Sequence, residues 1–295
     1  MGWRRLSRQR RGLKILLACL FIGELIAAAA LHSAPETPAR PAALVAAAPF
    51  SHPSAAPTPL VVRDRAVRLL GLGGPVTDRL LSRIASNIGA AVDQVEAFWG
   101  VDWPRDISVV AAGSDDEFRA AAGGGPASQW ADIAAVTVVD RLDLAHRVAV
   151  GERIVFAPGA ANVTEPALRI VLTHELFHYA ARVDTAMDAP RWLTEGVADF
   201  VARPISPVPA DAQSAVVTLP SDADLDTPGP QRSSAYDRAW WFARFVADGY
   251  GMAKLRAFYL AACGVGHADL PTAVHDVLGT DSAALLVRWK QWMVG

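Results

Sequence analysis

Residues 173–178 read Thr-His-Glu-Leu-Phe-His, and Trp192-Leu193-Thr194-Glu195-Gly196 follows, with Glu195 seventeen residues beyond His178. On a helix, His174 and His178 lie four apart, on one face and one turn from each other. Two neutral imidazoles so placed can both reach one zinc ion. Glu175 is rotated around the helix, where its carboxylate can hold and deprotonate a water. Glu195 offers an oxygen as third protein ligand. Two histidines and one glutamate leave a fourth position open, which is the arrangement of a catalytic zinc rather than a structural one.

Two helices must deliver these groups. Thr164 can N-cap the first, with Glu165 and Pro166 in its opening turn. Leu168, Val171, Leu172, Leu176 and Phe177 give it an apolar face, and no Gly or Pro interrupts it before Pro190. For the second, Asp188 is placed to cap and Pro190 to open it. Trp192, Leu193, Val197, Phe200 and Val201 pack it until Pro204 stops it. Glu195 and Asp199 stand at i and i+4 and face the same way. Asp199 is thereby placed to accept a hydrogen bond from the outer ring nitrogen of a ligand histidine.

This pair of segments resembles the gluzincin metallopeptidases, in particular the bacterial peptidase MA-like group, over roughly residues 60–293. The resemblance implies Zn2+ held by His174, His178 and Glu195, with Glu175 as general base and acid and Asp199 orienting one histidine. It implies a tyrosine beyond the third ligand that stabilises an oxyanion. Tyr236, in Ser234-Ala235-Tyr236-Asp237-Arg238, matches that place loosely and reads equally as an ordinary aromatic at a helix start. It also implies that the strand before the first helix, Arg153 to Phe156, binds extended peptide by strand addition. Asp184 is a rival third ligand, since it falls where His-Glu-x-x-His-x-x-Gly-x-x-His/Asp proteases put theirs. Ala181 replaces the glycine that would turn that chain back, so Glu195 is preferred. No Gly-x-Met-Glu-Asn exopeptidase signature is present.

The start of the chain has a separate job. Arg4, Arg5, Arg8, Arg10, Arg11 and Lys14 precede an apolar run, Ile15 to Leu31, broken only by Glu24. Residues 1–33 therefore read as a signal peptide or an N-terminal membrane anchor. Either way the rest acts outside the cytoplasmic membrane, secreted or tethered to it. Residues 34–60 are an Ala/Pro-rich linker with too few large apolar groups to pack. Residues 61–295 form the metallopeptidase-like domain. Removing residues 1–34, with six basic groups and one acid, takes the formal charge from −2 to about −7. No basic stripe points to nucleic acid. Cys19 lies in the leader, which leaves Cys263 alone and reads it as a buried small residue.

The remaining pattern is α+β, a small mixed sheet with the active-site helix followed by a helical C-terminal lobe, and the resemblance implies a zincin-like metalloprotease fold. Val61 to Leu72 reads as a strand, Pro75 to Trp99 as a long amphipathic helix, and Ile107 to Val110 as a strand. Ser114 to Glu117 reads as a capping box opening a short helix. Ala134 to Val139, Arg147 to Val150 and Arg153 to Phe156 read as strands. A Pro/Asp/Ser-rich loop spans 204–233, and four helices follow over Tyr236–Tyr250, Met252–Cys263, Leu270–Leu278 and Asp281–Met293. Trp240 and Trp241 read as core. The function expected is zinc-dependent hydrolysis of a peptide or protein substrate. The alternatives are a zinc hydrolase of another amide and a catalytically inactive envelope binding protein on the same fold.

Overall fold

The computed structural model describes residues 16–20, 59–130, 132–213, 218–227 and 229–295. Most of the leader and almost all of the linker lie outside them. The first described segment, β1 (Leu16–Leu20), is a strand. Then come β2 (Leu60–Val62), β3 (Arg65–Gly71), α1 (Gly74–Trp99), β4 (Asp106–Ala111), α2 (Asp115–Ala121), β5 (Ile133–Val138), β6 (Arg141–Asp143), β7 (Val148–Val150) and β8 (Arg153–Phe156). The second half is helical: α3 (Glu165–Ala181), α4 (Arg191–Ala202), α5 (Ala210–Gln213), α6 (Asp222–Asp226), α7 (Pro230–Tyr250), α8 (Met252–Cys263), α9 (Leu270–Ala273) and α10 (Ser282–Met293). Among the described residues no helix is long and apolar enough to cross a membrane.

The sheet is small and mixed, in the order β1-β5-β8-β4-β3-β2. Strands β3, β4 and β8 run parallel, and the outer pairings are antiparallel. Helices α1 and α3 cover one face. Leu80, Leu81, Ile84, Ile88, Val92, Val95 and Phe98 turn the α1 stripe into the main core, at the three- and four-residue spacing of the sequence. The other face carries a second core around Phe118, Trp130, Val136 and Val155. With both faces covered, every residue of β5 is buried.

Several local expectations change in the folded chain. Val61 to Leu72 is two strands, because Arg63 takes φ 55° and, with Asp64, folds β2 back on β3. The strand β8 is interior, flanked by β5 and β4, so it has no free edge on which to accept a peptide. The strand beyond it is β5, and its outer edge pairs with Leu16–Leu20, which the sequence assigns to a leader. An aliphatic run of strand length satisfies the donors and acceptors that an open edge leaves unpaired. The strand expected over Arg147 to Val150 is present as Val148–Val150, but it does not pair with β8. Instead β7 pairs with β6, and the register Arg141↔Val150 continues that of Val138↔Arg153, so β5–β8 is one long bent hairpin.

The bend contains Glu152, only 8% exposed, whose carboxyl is pushed up to about 8 by burial, against the pull of the Arg182 guanidinium. A carboxyl with a raised folded pKa binds a proton that the unfolded chain has released. Stability is therefore lost as pH rises from the unfolded value, about 4.3, to the folded one. Glu152→Gln removes that loss. The variant should be more stable than the parent by roughly 2–4 kcal/mol at pH 8 and by much less at pH 5. Denaturant titrations at the two pH values check it, and a variant weaker than the parent at pH 8 would contradict it.

Candidate metal centre

Helix α3 is set up as its sequence reads. The Thr164 side chain accepts from the Ala167 N–H, and Pro166 sits in the first turn. Phe177, between the two histidines, anchors the helix by edge contacts with Trp99 at 5.5 Å and Tyr259 at 5.6 Å between ring centroids. Its neighbour Leu176 is fully buried. The apolar side of α3 fixes its rotation, and the motif side then faces α4 and β5.

Helix α4 starts at Arg191 after Pro190, but Asp188 is not its cap. Asp222, from α6 in the long loop, accepts from the Arg191 N–H at 3.1 Å and the Trp192 N–H at 2.9 Å. A bidentate carboxylate at a helix N-terminus satisfies two orphan donors and complements the helix dipole. The loop expected over 204–233 thus holds two short helices, and α7 begins at Pro230, ahead of Tyr236.

Gly196 follows Glu195, and its role is close approach. A Cβ there would lie 2.5 Å from the Ala239 carbonyl oxygen and 2.7 Å from its carbon. Helix α7 therefore packs backbone to backbone on α4 beside Glu195. Gly196→Ala should destabilise by about 1–3 kcal/mol despite the better helix propensity of alanine, because backbone must move. Equilibrium unfolding checks this, and an unchanged or raised stability would contradict the packing.

Three side chains that could ligate a metal meet between these helices, one ligand atom from each lying within 4.8 Å of the others. His178 Nε2 lies 3.0 Å from His174 Nε2. His174 Nε2 lies 3.2 Å from Glu195 Oε2. His178 Nε2 lies 3.6 Å from Glu195 Oε1. Metal–ligand bonds of about 2.0–2.1 Å at tetrahedral angles put ligand atoms about 3.4 Å apart, so the spacing suits one small cation. The chemistry agrees. His174 Nδ1 donates to Asp199 Oδ1 at 2.7 Å, as the sequence expects. Its Nε2 then presents a lone pair to a carboxylate and to a second imidazole, and only a cation or a proton reconciles them. In the metal-free chain the proton does so. Burial lowers the His174 pKa, but the Asp199 and Glu195 carboxylates outweigh it and the ring is pushed up. Burial raises Glu195, but His178 and His174 outweigh it and the carboxyl is held down.

His174, Glu175 and Glu195 are 0% exposed and His178 is 2% exposed. Beside the triad, Thr137 on β5 lies within hydrogen-bond reach of Glu175, 2.7 Å from Oε2 and 2.9 Å from its backbone carbonyl. The other oxygen, Oε1, is buried with no hydrogen-bond partner among the described residues. Asp184 is not gathered in; it pairs with Arg147 beyond the end of α3. Tyr236 is buried on α7, the helix that packs against α4 at Gly196. Cys263 is fully buried and burial pushes its thiol up, which suits a packing residue.

Sequence reading did not pick out Thr137, Asp222 or Arg203. Thr137 carried a signal, as the one polar residue in Ile133-Ala-Ala-Val-Thr-Val. The others depend on which segments meet across the fold. No family model, no curated protein and no solved structure matches the chain. On its own geometry, the protein is a mixed α/β chain with a buried His174, His178 and Glu195 group that could hold a metal ion.

Proposed function

We propose that the protein is a zinc metallopeptidase of gluzincin type with a zincin-like fold, hydrolysing peptide bonds outside the cytoplasmic membrane. The observation that carries this reading is the convergence of the His174, His178 and Glu195 side chains, with Glu175 adjacent and one of its carboxylate oxygens uncommitted. A nitrogen, nitrogen, oxygen donor set with a fourth position left over suits Zn2+. A bound zinc would polarise the scissile carbonyl and acidify water.

The chain's own residues supply the rest. Glu175 takes the proton of the attacking water through Oε1 and returns it to the leaving amine. Thr137 keeps Oε2 occupied and so presents Oε1 in one orientation. Asp199 fixes the His174 tautomer, leaving Nε2 free to ligate. Tyr236 is the candidate donor to the oxyanion. The substrate is a peptide or protein, and the leader either releases the domain or tethers it to the membrane.

The complete burial of the four groups favours a second reading, a non-catalytic binding protein on the same fold. Incubation of the zinc-loaded chain with a pool of denatured proteins, read by mass spectrometry, separates the two. The peptidase reading expects new peptide termini that vanish with chelation. Zinc bound at one per chain without cleavage would favour the binding protein.

A further inference from the structure

Arg203 is the first residue past α4, four positions after Asp199. Its Nη2 lies 3.1 Å from Asp199 Oδ2, the oxygen that does not face His174. Its Nη1 donates to Asp237 Oδ1 on α7 at 2.7 Å. Its guanidinium lies 4.9 Å from the centre of the Trp240 ring, one turn further along α7. One fork thus spans the carboxylate behind a ligand histidine and a carboxylate beside Tyr236.

Asp199 is 0% exposed, and a buried carboxylate is costly without a compensating charge. His174 must be neutral to ligate a cation, so it cannot be that charge in the loaded protein. The guanidinium can, and it also stops the carboxylate rotating away from Nδ1. Lysine could not do the same, since a point charge on a flexible stem does not bridge two carboxylates in a fixed plane.

We propose that Arg203 is a positioning residue for the metal centre, holding His174 through Asp199 and tying Asp237 of α7 to the same carboxylate. The proposal rests on the reading that the triad binds a metal. It gives α7 a reason to carry Asp237 and Trp240 next to Tyr236: metal binding and the placing of the tyrosine share one ion-pair chain.

Cobalt(II) titration of the full chain tests this, followed by visible absorption and by thermal unfolding of the metal-free forms. Arg203→Gln should weaken Co2+ binding roughly 10–100-fold and shift the absorption bands. Arg203→Lys should fall between it and the parent. Arg244→Gln is the control. Arg244 packs on the same Trp240 ring at 5.2 Å and donates to the Ser206 carbonyl, so it shares the helix packing. It should lower thermal stability and leave Co2+ affinity and bands unchanged. Should Arg203→Gln fail to fold, Asp237→Asn provides the readout, with weaker binding and shifted bands expected. Parental affinity and bands in the folded Arg203→Gln protein, or in Asp237→Asn where that is the variant read, would overturn the proposal. So would equal losses in Arg203→Gln and Arg244→Gln. Failure of the parent to bind Co2+ would instead remove the metal reading beneath it.

Discussion

Glu175→Gln should keep the metal and lose the proposed hydrolysis, by on the order of a thousandfold or more. The glutamine has nearly the same shape and can still meet Thr137, so α3 and its histidines stay where they are. What disappears is a basic oxygen. In the parent, Oε2 is engaged by Thr137 at 2.7 Å and Oε1 has no partner among the described residues, so on the proposed reading the base would act through Oε1. A water left without a proton acceptor attacks poorly, and the leaving amine is left without a donor, so both halves of the reaction suffer. Metal content and turnover on the same preparation check this. Turnover within tenfold of the parent would remove Glu175 from the chemistry, and loss of metal would mean that it serves as a ligand.

Removing the metal should cost the fold itself. A cation held by His174, His178 and Glu195 would neutralise one carboxylate and satisfy two imidazole lone pairs in a buried place. A ligand present at a thousand times its dissociation constant stabilises by about 4 kcal/mol through linkage. For a domain of this size that corresponds to roughly 10 °C in Tm. Chelation should lower Tm by about that much, and Glu195→Gln should start low and not respond to chelator or added zinc. A Tm indifferent to chelation in a protein that had bound its metal would contradict this.

The local rules of the chain carried far into the structure. The cap at Thr164, the apolar stripe of α3, the i, i+4 pair Glu195 and Asp199, and the α1 stripe all stand in the fold as their spacing implies. These depend on residues a turn or two apart, where periodicity speaks directly. The parts that sequence did not disclose depend on contacts between distant segments. Asp188 looked like the cap of α4 because it is near, and Asp222 caps it because α6 folds back over that end. Gly196 was plain in the sequence, but its purpose, the approach of Ala239 on α7, was not. The same holds for strand order. Nothing local tells that β8 lies between β5 and β4 while β5 lies between β1 and β8, since both are short apolar runs. Arg203 is a surface-looking charge in one dimension and a bridge between two carboxylates in three.

The most direct test is the zinc content of the purified chain, measured beside Glu195→Gln and Asp184→Asn. The account predicts about one zinc per chain, lost in Glu195→Gln and retained in Asp184→Asn. No zinc in the parent after reconstitution, or zinc lost with Asp184→Asn and kept with Glu195→Gln, would contradict it.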